Sequence, residues 1–413
     1  MSTTSLKSQV APVNEIRSHF PALERVHNGY PVAYFDGPGG TQVPRYVVEK
    51  MADYLYHHNA NTHWAYPTSA ETDAALEHAR EVYAEFLNAS PTEIAFGANM
   101  TTLTLHLSRS LSLDYKPGDE IVVTELDHHA NLDPWRRLAL ERGVTIRTVG
   151  IDATAGQINR DELERYIGSK TKLLAIGAAS NALGTINDLK SAIALAHKAG
   201  ALIFVDAVHY APHALIDVKE LDCDFMGMSA YKFYGPHIGV LYAKRELYER
   251  INFPRLVPAP DYAPENAESG TMNHEGMVGA AAAVEHLAAL GGGESLREGL
   301  RNMFHETHAR NARLFARLWN ALSGMPRVKL YGPPPDSART PTLAFTIDGC
   351  TSTEAASRLA AKGLFLSHGD FYAYTIVERL GLQPEGLIRA GCAIYTTEDE
   401  IDRLINGVYE ISK

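Results

Sequence analysis

Between residues 120 and 241 the chain alternates short apolar runs with longer amphipathic stretches. The apolar runs cover residues 120–123, 145–149, 172–176 and 201–205. Residues 131–142, 160–167 and 188–199 lie between them and carry apolar side chains at helical spacing. Short continuous apolar runs suit strands buried on both faces, and the stretches between them suit crossover helices. This alternation predicts an α/β fold with a large, doubly wound, mostly parallel sheet. Upstream, residues 93–96 read as a short strand and residues 97–102 as a turn that opens a helix through residue 111. Residues 69–87 have helical spacing through Ala75, Ala79, Val82 and Phe86, with Glu71 and Asp73 in the first turn.

The texture changes after Tyr242. A helix over 246–251 leads to a connector containing Pro254, Pro258, Pro260 and Pro264. A small-residue helix over 276–290 ends at Gly291-Gly292-Gly293, and a long helix covers 294–322. Strands at 328–331, 342–347 and 387–391, with helices at 352–362, 371–380 and 398–411, predict a smaller α+β unit. The expected division is an N-terminal arm over 1–30, a large α/β domain over 31–290 and a small C-terminal domain over 291–413, on which the arm could pack.

The length of 413 residues and hydrophobic content of 45% supply cores for such a division. The net charge is −11 with no basic block, so nothing points to nucleic acid. No stretch approaches about 18 uninterrupted apolar residues, and no membrane span is expected. The first residues lack an apolar segment followed by a small-residue cleavage site, so the chain reads as cytoplasmic. Its three cysteines, Cys223, Cys350 and Cys392, are too few and too scattered for a disulfide framework or a zinc site. Cys223 and Cys392 lie in apolar contexts that suit buried small side chains.

Open α/β sheets bind ligands at the carboxyl ends of their strands, so the residues just past those ends carry the candidate chemistry. Lys232 stands between the apolar run 224–228 and a Gly-Pro-His-Ile-Gly turn that leads into 240–243. An amine held between buried strands is costly unless neutralised or covalently engaged, and a Schiff base with a carbonyl cofactor achieves both. A surface hairpin with a solvated lysine is the alternative. Asp206, after the strand 201–205, could keep a pyridinium nitrogen protonated, or could serve as a helix cap or salt-bridge partner. His128, after the strand 120–123, could stack on a planar ring. Asp127 and His129 beside it suggest a metal, but no third ligand at metal spacing accompanies them. Asn181 and His209 could hydrogen-bond a phenolate oxygen. Met100 and Thr101 open a helix after a strand, which is a ready phosphate site, although a plain N-cap at Asn99 or Thr101 gives the same pattern. Ser229 and Tyr231 could also hold a phosphate. The glycine-rich residues 36–41 would let backbone approach a ligand, but they lack nucleotide-loop spacing.

Several motifs in order carry a resemblance. They are Glu125-Leu126-Asp127-His128-His129-Ala130-Asn131 with Pro134-Trp135, Ser180-Asn181-Ala182-Leu183-Gly184-Thr185, and Val205-Asp206. Ser229-Ala230-Tyr231-Lys232, Glu268-Ser269-Gly270-Thr271 and Ile388-Arg389-Ala390-Gly391 complete the set. The chain resembles the class V aminotransferase family of fold-type I pyridoxal 5'-phosphate enzymes, in its cysteine desulfurase-like branch. The resemblance implies Lys232 as the Schiff-base lysine, Asp206 as the partner of the ring nitrogen and His128 as the stacking residue. It implies phosphate contacts from Thr101 and Ser229, with Met100, Tyr231 and His209 beside the cofactor. Thr271 would reach the phosphate of a neighbouring subunit, in a homodimer with its active site at the subunit interface. Arg389 and Asn181 would hold the carboxylate of a small-molecule amino-acid substrate. His63, Trp64, His368, Asp370 and Tyr372 are expected around the substrate side chain.

Three positions depart from the family pattern. His209 stands where glutamine is common, and Tyr231 where histidine is common. Desulfurases carry a persulfide-forming cysteine on a mobile loop ahead of the carboxylate-binding arginine. The corresponding residues here, 367–374, contain no cysteine, and Tyr372 stands in its place. The expected activity is therefore a cysteine desulfurase-like C–S lyase reaction, a β-elimination on a cysteine-derived substrate without a persulfide cysteine. Transamination of a small amino acid or amine is the alternative, and racemisation a further one. A non-catalytic scaffold would have no use for Lys232 and Asp206.

Overall fold

The computed structural model describes residues 10–413. Seven strands form the main sheet: β1 (Ile94–Gly97), β2 (Glu120–Thr124), β3 (Thr145–Val149), β4 (Thr171–Gly177), β5 (Leu202–Asp206), β6 (Phe225–Ser229) and β7 (Gly239–Ala243). Their spatial order is β1-β7-β6-β5-β4-β2-β3. Only β7 runs antiparallel to its neighbours, as the sequence pattern of a mostly parallel sheet requires.

Alternation along each strand sends side chains to two separate cores. Ile121, Val123, Phe204, Phe225 and Leu241 pack together on one face. Val122, Ile203, Val205, Met226 and Val240 pack on the other. The helices α1 (Pro67–Leu87), α2 (Met100–Leu111), α3 (Asp133–Arg142), α4 (Leu189–Lys198) and α5 (His274–Gly291) cover these faces. Leu103 and Leu107 of α2 and Trp135 and Leu138 of α3 cap the first face. Val82 and Phe86 of α1, Ile193 of α4 and Met277 and Val284 of α5 cap the second. After β2 the chain adds β3 on one side, then returns to add β4 on the other. The connections that leave the carboxyl ends of β2 and β4 therefore run in opposite directions, and a crevice is expected between them.

The long helix α6 (Leu296–Ser323) leads to a second, antiparallel sheet. It consists of β8 (Val328–Tyr331), β9 (Thr342–Ile347), β10 (Ser367–Gly369) and β11 (Leu387–Gly391), in the order β8-β9-β11-β10. Its apolar face packs on Leu314, Leu318 and Leu322 of α6 and on Ile401, Leu404 and Val408 of α7 (Glu398–Ser412). Near the N-terminus, Ile16 and Phe20 enter the core of the main sheet, while Ala33–Tyr34 pairs in parallel with Leu364–Phe365. Among the described residues no helix is long and apolar enough to cross a membrane.

Two local differences from the sequence pattern bear on function. Residues 367–369, expected in a loop, form the edge strand β10. The helix expected from residue 371 begins only at Tyr374, because Phe371 and Tyr372 both adopt left-handed backbone with φ of 57°.

Candidate active site

The end of β6 delivers Lys232. Ala230–Lys232 form a single tight turn, and a Cβ on Gly235 would lie 2.9 Å from the Cβ of Ala230, so only glycine permits the return into β7. At the start of β7, a Cβ on Gly239 would lie 2.4 Å from the carbonyl carbon of Asn99. That close passage brings the lysine turn against the start of α2. Asn99 is the N-cap of α2, its side chain accepting from the Thr102 amide at 2.9 Å, and the Met100 amide donates to Ser229 Oγ at 3.0 Å. Thr101 sits exposed at this helix N-terminus.

One cavity collects the ends of five strands. Met100 and Thr101 come from beyond β1, Asp127 and His128 from beyond β2, and Gly177 and Asn181 from β4 and beyond it. Asp206 and His209 follow from β5, and Ser229, Tyr231 and Lys232 from β6. The Lys232 amine donates to the carbonyls of Pro38 at 2.6 Å and Gly39 at 3.0 Å. Desolvation of the amine, helped by the Arg389 charge and opposed by Asp206, pulls its pKa down to about 7. Asp206 is buried and its Oδ1 accepts from the Val208 amide at 2.9 Å; burial pushes its pKa up to about 6. Asp127 accepts from Thr124 Oγ1 at 2.6 Å and Asn131 Nδ2 at 3.2 Å, and burial pushes it up to about 7.

His128 accepts the Ala130 amide on Nδ1 at 3.0 Å, which puts its proton on Nε2. Burial, then the Lys232 charge, lowers its pKa to about 4, so the ring is neutral. Its outer face meets the ring of Tyr372 at 5.6 Å between centroids and 30° between planes. Asn181 donates from Nδ2 to the Phe371 carbonyl at 2.9 Å, and its Oδ1 is buried with no partner. His209 shares Nε2 with Thr340 Oγ1 at 3.1 Å and Thr342 Oγ1 at 3.0 Å, which leaves Nδ1 as the ring nitrogen available to a cavity ligand. Arg389 is buried beside the cavity. It donates from Nη1 to the Asn181 carbonyl at 2.7 Å and from Nε to Ser367 Oγ at 3.1 Å, and its guanidinium lies 4.0 Å from the centroid of Phe371. Burial lowers its pKa to about 9, against the pull of Asp36.

Residues 33–404 match the Aminotransferase class-V family. The chain belongs to that family. A cysteine desulfurase of Pectobacterium atrosepticum is 34% identical over 418 residues, covering 97% of this chain and 98% of that protein. A cysteine desulfurase of Synechococcus elongatus is also 34% identical over 97% of this chain, which spans only 63% of that longer protein. The crystal structure of the Escherichia coli cysteine desulfurase CsdA in its S-sulfonic acid form superposes with a TM-score of 0.84 at 29% identity, covering 97% of this chain and 98% of that one. This member of the class V aminotransferase family is a pyridoxal 5'-phosphate-dependent, cysteine desulfurase-like enzyme.

The cavity fits that cofactor. It offers a lysine amine with a depressed pKa, a buried carboxylate, a neutral ring, a helix N-terminus and an unpartnered buried acceptor at Asn181 Oδ1. Gly177 keeps its floor open, since a Cβ there would lie 2.6 Å from Asp127 Oδ1. Gly177→Ala is accordingly expected to displace the Asp127 carboxyl and destabilise the protein by about 1–3 kcal/mol, read from the denaturant midpoint. An unchanged midpoint contradicts that contact.

The predicted residues do not all converge within one chain. His63 and Thr271 line a different cavity, together with Trp64, Arg80 and Glu268. Tyr372 is 75% exposed at the mouth over His128, and Asp370 accepts its backbone N–H at 2.9 Å. His368 lies 3.3 Å from Thr353 Oγ1, beside the helix Ser352–Ala360. Asp127 and His129 do not form a metal pair: His129 faces Asp133 and Thr375 instead. The sequence reading missed Asp36, whose buried Oδ1 has no partner beside Arg389, and the Phe371 and Ser367 supports of that arginine. The glycine-rich pattern over 36–41 was the available signal for the carbonyls that face Lys232.

Proposed function

We propose that the enzyme is a C–S lyase that eliminates sulfur from Cβ of a cysteine-derived amino acid without an enzyme persulfide. The observation that carries this reading is the mouth of the site. Tyr372 stands over His128 there, and among the described residues no cysteine lines the cavity. Cys223 and Cys392 are buried in cores, where burial pushes both thiols up to about 12. Cys350 lines a separate surface cleft beside β9. Thiols in these positions are poorly placed to accept sulfur as thiolates.

Lys232 would hold the cofactor aldehyde, Asp206 the ring nitrogen, and Thr101, Ser229 and the N-terminus of α2 the phosphate. When bound, the cofactor acts as an electron sink that acidifies the substrate Cα–H. Lys232, with a pKa near neutrality, is suited to take that proton as a general base. Arg389 and Asn181 would grip the substrate carboxylate, so that Cα faces the lysine. Neutral His128 would cover the ring without adding a charge. The electron pair of the C–S bond leaves with sulfur toward the Tyr372 mouth, and the three-carbon remainder hydrolyses to pyruvate and ammonia. Thr271 and His63 lie away from this cavity, next to exposed Trp64 and Leu256. That position supports a homodimer in which each copy lends these residues to its partner's site.

Offered cysteine S-conjugates, the enzyme is expected to release pyruvate and free thiol with no added keto acid. Release that depends on a keto-acid acceptor would instead support transamination.

A further inference from the structure

A second cavity of about 330 Å³ lies behind the active site, between α6, the residues after β5 and the residues leading into β9. Its walls include His213, His308, Asn311, Phe315, Arg339 and Thr340, and no aspartate or glutamate lines it among the described residues. Arg339 is 8% exposed. Nε donates to the Thr340 carbonyl at 3.2 Å, and Nη2 to the carbonyls of Thr342 at 2.5 Å and Leu183 at 3.2 Å. One face of the guanidinium lies 3.8 Å from the centroid of Phe315. Nη1 is buried and has no partner, and Asn311 Oδ1 is in the same state. Among the described residues no carboxylate stabilises the charge: burial pulls the pKa of Arg339 down to about 9. Arg389, which is also buried, has Asp36 nearby.

A buried cation with two unused N–H donors is costly unless an anion meets it. We propose that this cavity binds a small oxyanion, held by Nη1 of Arg339 and by the Asn311 amide, which presents Nδ2 as a second donor after a half-turn. The site stands one residue behind the cofactor cavity. Thr340 Oγ1 is 3.1 Å from Nε2 of His209, and the His213 ring is 5.4 Å from the His209 ring. The inference rests on Arg339 and Asn311 and is independent of the reaction assigned to the enzyme.

The test is calorimetric titration of the holoenzyme with sodium sulfate and, separately, sodium acetate, at ionic strength fixed with chloride. Saturable binding of one anion per chain is expected, weakened at least about tenfold in Arg339→Met. Sulfate alone binding would identify a tetrahedral ligand, and acetate alone a carboxylate; either supports the site. Asn311→Asp places a carboxylate in the cavity, and is expected to raise the melting temperature and abolish the titration. This variant carries the test if Arg339→Met does not fold. The proposal is overturned if neither anion binds saturably below about 10 mM. It is equally overturned if binding persists unchanged in the variants, or if Asn311→Asp lowers the melting temperature.

Discussion

Lys232→Ala is expected to abolish borohydride-stable attachment of the cofactor and to lower turnover by at least about 10²–10⁴-fold, the range that a positioned general base contributes. Both effects follow from one amine. Two backbone carbonyls hold it without a direct carboxylate partner, and the nearby Arg389 charge disfavours its protonated form. A pKa near 7 also sets a pH signature. The neutral, nucleophilic fraction rises about tenfold between pH 6 and pH 8 and then levels, whereas an ordinary lysine would gain about a hundredfold over the same interval. Cofactor uptake by the apoenzyme should follow the shallower curve. A Lys232→Ala enzyme that keeps its rate within about tenfold of the parent would remove the lysine from the chemistry.

Arg389→Lys is expected to lower kcat/KM for an amino-acid substrate by roughly ten- to a hundredfold, mostly through KM, or about 1.5–3 kcal/mol. Lysine keeps the charge but cannot donate to the Asn181 carbonyl and Ser367 Oγ while lying flat on Phe371. The control is cysteamine, which lacks the carboxylate. If Arg389 binds that group, the variant should handle cysteamine nearly as the parent does. An equal fall for both substrates would mean that the substitution merely disturbs the fold.

The main sheet was legible in the sequence because β2, β4, β5 and β6 are buried on both faces, so that their apolar runs are nearly continuous. The strand-end residues followed from it, and the cavity gathers His128, Asn181, Asp206, His209, Ser229, Tyr231 and Lys232. Other features leave no local mark. Ser367-His368-Gly369 has no apolar alternation, and becomes a strand only through its pairing with β11. Phe371 and Tyr372 sit in helical sequence spacing, yet their left-handed backbone is fixed from outside. Asn181 donates to the Phe371 carbonyl, and the His129 amide donates to the Tyr372 carbonyl at 2.8 Å. Asp127 lies beside two histidines and suggests a metal, but its oxygens are committed to Thr124 and Asn131. Pro38 and Gly39, which accept from the Lys232 amine, are 194 and 193 positions away from it in the chain. No short-range pattern reports such a contact.

The fate of L-cysteine tests the proposed chemistry most directly. The purified holoenzyme, given L-cysteine and no acceptor protein, should yield pyruvate, ammonia and sulfide in equal amounts, with Cys223, Cys350 and Cys392 unmodified in the intact-protein mass. Alanine as the product, with sulfur retained on one of those cysteines, would contradict elimination and show persulfide transfer instead.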